Sequence, residues 1–253
     1  MDLNIKEEGE FKYLETNPGK PVLMLLHGLM GALSNFDGII KGFGNDYNVV
    51  VPLLPIFELP IRKVSLTGFV GYVERFVAHK RYNDINILGN SLGGHVALLY
   101  VLSNQDQIKS MTLTGSSGLF ESAMGSTFPK RGNYEYIKQK TEDTFYNPAV
   151  ATKELVDEVF DMVNDNGKVI RILATAKSAI RHNVGEELDK IKIPTLIIWG
   201  KEDKVTPYFV GEKFNELILN SKLVGVEKCG HAPMMERSDI FNQHLAEFLN
   251  SLK

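Results

Sequence analysis

The chain has 253 residues, a length that suits one domain or one core with an inserted subdomain. Hydrophobic residues make up 43% of it, enough for a buried core and too few for a membrane-embedded protein. Charge is nearly balanced, 28 Lys and Arg against 31 Asp and Glu, and no Lys/Arg cluster of the kind that tracks phosphates appears, so nothing points to a nucleic-acid partner.

Met1–Glu10 is polar and acidic, unlike the basic-then-apolar head of a secretory signal. Phe11–Glu15 reads as a short strand and Asn17-Pro18-Gly19 as a turn. The continuous apolar run Pro21–Leu26, which ends in His27-Gly28, has the pattern of a strand covered on both faces. Tyr47–Leu54 is a second such run. Ser65–Val77 places Leu66, Phe69, Val70, Val73, Phe76 and Val77 at helical spacing. Ile85–Leu88 is a third strand, followed by a Gly-rich turn, a helix over Leu92–Leu102 and a fourth strand over Ile108–Thr114. No apolar stretch is long enough to span a bilayer.

This alternation predicts a parallel sheet flanked by helices, an α/β fold. The rhythm breaks near Leu119. Candidate helices follow at Tyr134–Lys140, Lys153–Val163 and Val169–Ile180, with no convincing buried strand among them. Ile193–Trp199 and Lys222–Val226 then resume the strands, with helices at Tyr208–Leu219 and Ile240–Leu252. The expected organisation is therefore a core of residues 1–119 and 189–253 with a helical insertion at 120–188. Cys229 stands alone, so no internal disulfide can form; this fits a reducing, cytoplasmic compartment. Beside Gly230 it reads as a small buried apolar residue rather than a reactive thiol.

Gly89-Asn90-Ser91-Leu92-Gly93 lies between a predicted strand and a predicted helix. A serine hydroxyl is a poor nucleophile unless a sharp turn projects it toward a base. Glycines two residues to either side remove the collisions that such a turn creates, and the helix aims its N-terminal amides at a developing oxyanion. Ser91 is accordingly the candidate nucleophile. Leu92, just after it, supplies one oxyanion-hole amide, and Leu29, in the His27-Gly28-Leu29 loop, supplies the second. His27 itself reads as a structural histidine that hydrogen-bonds that loop.

The base belongs late in the chain, in a loop after a strand, where Gly230-His231 stands. His79, His95 and His244 sit in positions typical of surface or packed histidines, and His182 near the end of the insertion could face the site. The acid that orients the imidazole belongs in the charged turn after Trp199, where Glu202 and Asp203 are rivals and Asp203 is the shorter.

Together, His27-Gly28, Gly89-Asn90-Ser91-Leu92-Gly93-Gly94, the Gly200…Asp203…Pro207 turn and Gly230-His231 resemble the α/β-hydrolase superfamily from about residue 11 onward. Within the superfamily the chain resembles small single-domain bacterial hydrolases with a helical cap, the group containing carboxylesterases and carbon–carbon-bond hydrolases. The resemblance implies an eight-stranded, mostly parallel sheet with the cap over the active site. Its spacing to Pro207 selects Asp203, giving the order Ser91, Asp203, His231. Haloalkane dehalogenases and epoxide hydrolases carry Asp where Ser91 stands, which argues against both. Hydrolases of ring-cleavage products share the Gly-Asn-Ser-x-Gly-Gly elbow. They usually carry a Gly-Pro-Gly stretch after the His-Gly and a Trp after the catalytic His, where this chain has Leu29-Met30-Gly31-Ala32 and Ala232. Where relatives commonly have Asp before a Pro-Gly turn, this chain has Val51-Pro52-Leu53-Leu54-Pro55.

The expected activity is hydrolysis of a small-molecule carboxylic ester through a Ser91 acyl-enzyme. The alternatives are carbon–carbon bond hydrolysis with the same triad, or a non-catalytic ligand-binding protein of this fold. No cofactor or metal is expected, because no ligand cluster or phosphate-binding glycine loop is present. Nor is a nucleic-acid or membrane partner. Met124, Phe128, Tyr134, Tyr136, Phe145, Tyr146, Phe160 and Met162 of the insertion are candidates for an apolar acyl pocket or for packing.

Overall fold

Four apolar runs leave no residue exposed, and they form the middle of the sheet. The computed structural model describes residues 4–31, 33–120 and 130–252. Ala32, Met124 and Phe128, discussed above, lie outside the described residues. The first half of the chain forms β1 (Lys6–Glu8), β2 (Phe11–Glu15), β3 (Val22–Leu26), α1 (Asp37–Phe43), β4 (Asn48–Pro52) and α2 (Leu66–Lys80). Then come β5 (Ile85–Asn90), α3 (Leu92–Asn104) and β6 (Ile108–Thr114). After α4 (Tyr134–Glu142), α5 (Lys153–Asn164) and α6 (Asn166–Arg181), the chain returns through β7 (Thr195–Gly200), α7 (Tyr208–Leu217) and β8 (Ser221–Val226). It finishes with α8 (Pro233–Glu236) and α9 (Ser238–Ser251).

The eight strands form one sheet in the order β1-β2-β4-β3-β5-β6-β7-β8. Only the β1–β2 and β2–β4 pairings are antiparallel. The remaining pairings are parallel, as the alternation of strands and helices predicts. Successive residues of the buried strands feed opposite cores. In β3, Val22, Met24 and Leu26 join one cluster with Phe69, Val73 and Phe76 of α2, while Leu23 and Leu25 join the other with Phe241 and Leu245 of α9. The same two-residue period divides β7, where Ile197 and Trp199 face one side and Leu196 and Ile198 the other. Parallel strands read as continuous apolar runs for this reason: both faces are covered.

Helix α3 is buried along most of its length, from Leu92 to Val101, and packs into the centre of the sheet. Between β6 and β7 the described residues contain helices and no strand. These helices pack on one another and reach the sheet domain through α6, whose Ser178 hydroxyl accepts from Leu66 N at 2.9 Å. No helix among the described residues is long and apolar enough to cross a membrane.

Strand β2 carries an ion cluster that pins the sheet margin. Glu15, its side chain almost entirely buried, accepts from Tyr82 Oη (2.5 Å) and Asn48 Nδ2 (2.9 Å) on one oxygen. Lys6 Nζ (3.0 Å) and Lys80 Nζ (3.3 Å) take the other. Burial alone would raise the Glu15 pKa. The hydrogen bonds from Tyr82, Asn48 and Lys6 and the charge of Lys80 outweigh it and hold the carboxyl at about 2, against an ordinary 4.5. A depressed pKa contributes stability that is complete above about pH 4.5 and is lost as pH falls toward 2. Glu15→Gln should lower stability at neutral pH by about 1–3 kcal/mol and flatten that acid limb, as measured by urea denaturation at stepped pH. An equally steep limb in the variant would assign it to another carboxylate.

Candidate active site

Ser91 stands at the junction of β5 and α3 with φ +54° and ψ −118°, a backbone region that residues other than glycine rarely occupy. Packing enforces the turn. A Cβ on Gly93 would land on the Leu26 carbonyl oxygen, and one on Gly89 would land on the Gly93 carbonyl, so both positions must lack a side chain. Hydrogen bonds then fix the turn from outside: Ser91 N donates to Thr114 O at 3.1 Å, and Ser91 O accepts from Ser117 N and His95 N, each at 3.2 Å.

The loop after β3 lies directly against this turn. A Cβ built on Gly28 would stand 3.3 Å from Ser91 Cβ. His27 holds the loop, since its Nε2 accepts from Leu54 N (2.9 Å) and its Nδ1 therefore carries the proton donated to Gly28 O (2.8 Å). Burial lowers the pKa of the His27 ring, in keeping with that neutral form. His27 is thus the loop-bonding histidine expected from sequence. Among the described residues, neither Leu29 N nor Leu92 N, the first amide of α3, donates to a protein acceptor.

His231 and Asp203 meet across the ends of β8 and β7. His231 Nδ1 lies 2.9 Å from Asp203 Oδ2, with the Asp203 side chain fully buried and that of His231 nearly so. Asp203 Oδ1 also accepts from Val205 N (2.8 Å) and Thr206 N (2.9 Å), an Asx-type turn that aims the carboxylate. Glu202, its rival, instead accepts from Cys229 N at 2.9 Å and does not reach the ring.

Asn90 ties the two halves together. Its Nδ2 donates to Thr114 O (3.1 Å) and to His231 O (3.4 Å), and a Cβ on Gly115 would stand 2.8 Å from His231 Nδ1. Ser91 and His231 therefore flank the same strand end. Among the described residues no hydrogen bond joins the Ser91 hydroxyl to the ring; catalytic hydrogen bonds are often long without substrate and tighten when it binds.

The other histidines are engaged elsewhere. Burial lowers His95 to about 4, and its ring lies between His182 O (2.8 Å) and Ser117 Oγ (3.2 Å). His182 turns back onto its own helix, with Nδ1 2.7 Å from Ser178 O. His79 pairs with Glu8, and His244 lies 3.4 Å from Glu247. Cys229 is buried and its thiol is pushed up by that burial, as befits a packing residue.

Two residues near His231 carry no sequence-derived role. Thr206 donates its hydroxyl to Asp203 Oδ2 (3.0 Å) and lies 3.2 Å from His231 Nδ1, so it braces both partners. Glu236 accepts from Gly230 N at 2.7 Å, just before His231. Position three after an Asp in a tight turn is a signal that could have found Thr206; Glu236 carries no comparable mark. Among the described residues, no three His, Cys, Asp or Glu side chains are grouped to hold a metal.

The chain matches the family model for the alpha/beta hydrolase fold over residues 21–163 and 135–238. It is 41% identical to the solved alpha/beta hydrolase enzyme MGS-MChE2 from the metagenome of lagoon sediments at Mar Chica, Morocco, with a TM-score of 0.81 and 98% of each chain covered. Among curated relatives, it is 27% identical to the monoacylglycerol lipase ABHD6 of Bos taurus, covering 97% of this chain and 81% of that one. It is 26% identical to the 2-hydroxy-6-oxo-6-(2'-aminophenyl)hexa-2,4-dienoic acid hydrolase of Metapseudomonas resinovorans, over 95% of this chain and 88% of that one. With sheet order, a strand–turn–helix junction at Ser91 and a matched family model all in agreement, this chain belongs to the α/β-hydrolase family and is a hydrolase.

Proposed function

We propose that the chain is a serine hydrolase that cleaves a carboxylic ester of a small molecule through an acyl-enzyme at Ser91. The observation that carries this reading is the buried Asp203–His231 pair set at the strand end that also holds the strained Ser91 turn. With Nδ1 engaged by Asp203, the Nε2 edge of the ring is free to accept a proton.

His231 takes the Ser91 hydroxyl proton as Oγ bonds to the acyl carbon, and the carbonyl electron pair moves onto oxygen. Leu29 N–H and Leu92 N–H stabilise that oxyanion. The tetrahedral species then expels the alkoxide, which takes the proton from His231. Water repeats the sequence and releases the acid. Asp203 holds the imidazole tautomer and stabilises its cation.

Residues 120–188 form a helical cap in this reading, inserted into a core of residues 1–119 and 189–253. Two contacts support the arrangement: His231 N donates to Thr144 O (2.8 Å), and Arg171 Nε donates to Leu59 O (3.3 Å). Among the aromatic candidates of the insertion, Phe145 is buried in one cluster with Cys229 and Ala232, whereas Tyr134 and Phe160 meet edge to face, ring centroids 5.3 Å apart, as packing residues. A cytoplasmic location fits the single buried thiol.

The second reading is carbon–carbon bond hydrolysis of a ring-cleavage diketone with the same residues, supported by the likeness to the dienoic acid hydrolase. Turnover of such a dienoate far above ester turnover would favour it. Tight ligand binding that persists in Ser91→Ala, without turnover, would point instead to a non-catalytic binding protein.

A fluorophosphonate probe should label the wild-type protein and leave Ser91→Ala unlabelled; folded wild type that neither labels nor hydrolyses any short-chain aryl ester overturns the proposal. Asp203→Asn should lower kcat on the order of 10³- to 10⁴-fold by releasing the wrong tautomer. Thr206→Val, which keeps shape but removes the brace, should lower it about tenfold, equivalent to one hydrogen bond. Presenting the hydroxyl at φ +54° strains the backbone, so Ser91→Gly should raise stability by about 1 kcal/mol while Ser91→Ala does not. Thermal unfolding of the two variants measures that difference.

A further inference from the structure

The loop that carries His231 is held by its backbone, and each of its three successive amides finds an acceptor on a different segment. Cys229 N donates to the Glu202 carboxylate (2.9 Å), Gly230 N to Glu236 Oε2 (2.7 Å) and His231 N to Thr144 O (2.8 Å). The loop enters this arrangement through Lys228 at φ +50°, so it does not rest in relaxed backbone. Glu202 belongs to the turn after β7 and stays within the sheet domain. Glu236 differs.

The Glu236 carboxylate serves two chain segments at once. Besides Gly230 N, it accepts from Tyr146 N (3.2 Å, Oε2) and Asn147 N (2.5 Å, Oε1), both in the connection between α4 and α5. That same connection supplies Thr144 O to His231 N, and Lys204 beside the acid turn pairs with Asp143 at its start (3.5 Å). The two backbones touch: a Cβ on Gly230 would stand 2.5 Å from Thr144 O and 2.8 Å from Phe145 Cα. A carboxylate has two oxygens and four acceptor sites, and here three amide donors from two segments share them.

We propose that Glu236 is a positioning residue that locks the backbone around His231 to the α4–α5 connection, so that the base keeps its place only while that connection is seated. The inference rests on the serine-hydrolase reading. Its physical content is the acceptor count. Gln in place of Glu236 has one acceptor oxygen and an NH2 group, so either Gly230 or Asn147 then faces a donor. The volume is conserved, while the three-donor lock loses either its Asn147 bond or its Gly230 and Tyr146 bonds together. Nothing in this role touches substrate; it acts through the position of the His231 ring, where small displacements of a catalytic group are costly.

The test uses full-length wild type, Glu236→Gln and Glu202→Gln, with kcat on an aryl ester expressed per active site titrated by a fluorophosphonate. Glu236→Gln should lose about tenfold in kcat per titrated site, the equivalent of one hydrogen bond to a charged group, with KM within about twofold. Amide exchange should rise together at residues 144–147 and 230–231 in Glu236→Gln, whereas Glu202→Gln should leave 144–147 protected. A merely structural role would reduce the fraction of titratable sites and leave kcat per site unchanged, which overturns the proposal. Should Glu236→Gln fail to fold, exchange in wild type decides. Common protection of Gly230, His231, Tyr146 and Asn147 supports the lock, and faster, independent exchange of Tyr146 and Asn147 overturns it. Wild type that does not label sinks the serine-hydrolase reading itself. Labelling in wild type with unaltered kcat per site in Glu236→Gln removes only the role given to Glu236.

Discussion

Everything at the site depends on how closely α3 can press against the ends of β3 and β5. The contact is between Gly93 and the Leu26 carbonyl, where no side chain fits. That approach carries the first turn of α3 up to the loop of Gly28 and Leu29, and it is what forces Ser91 into its positive φ. Without it the serine would follow the strand direction and point into a buried core. The geometry of one backbone crossing thus decides whether a hydroxyl is inert or presented.

Asp203 and His231 are placed by a different kind of force. The Asp203 side chain is fully buried, and its oxygens accept from two backbone amides, the Thr206 hydroxyl and the His231 ring. The same logic recurs at the sheet margin, where Glu15 keeps its charge because four donors surround it. Each of these two carboxylates is held by several donors at once. Several donors on one carboxylate also fix its direction.

Much of this was legible in the residues. The runs around Val22–Leu26, Asn48–Pro52, Ile85–Asn90 and Thr195–Gly200 read as buried strands because both faces carry aliphatics, and the helical spacing over Leu66–Lys80 is regular. The elbow was visible because its glycines answer a steric demand that sequence records. Other elements were hidden for equally physical reasons. Strand β1 is Lys6-Glu7-Glu8, with no apolar pattern, and its place comes from antiparallel pairing with β2 and from polar side-chain contacts across it, Lys6 with Glu15 and Glu8 with Tyr13. Helix α1 has two glycines in seven residues and no side-chain cap, so it is held by burying Ile39, Ile40 and Phe43 rather than by propensity. Thr206 and Glu236 make their contacts 25 and 6 residues away, and a hydroxyl in a turn or a carboxylate on a short helix looks the same whether or not it is so engaged.

The charged strand at the sheet margin has a consequence for how the molecule behaves in a crowd. Strand β1 ends the sheet on one side and turns an unpaired backbone edge outward. A second chain adding there would have to strip water from Lys6, Glu7 and Glu8 over a strand only three residues long. Such an edge offers little length to template a partner and a steep desolvation penalty for trying. The residues that made β1 unreadable as a strand are those that disfavour further pairing at this edge.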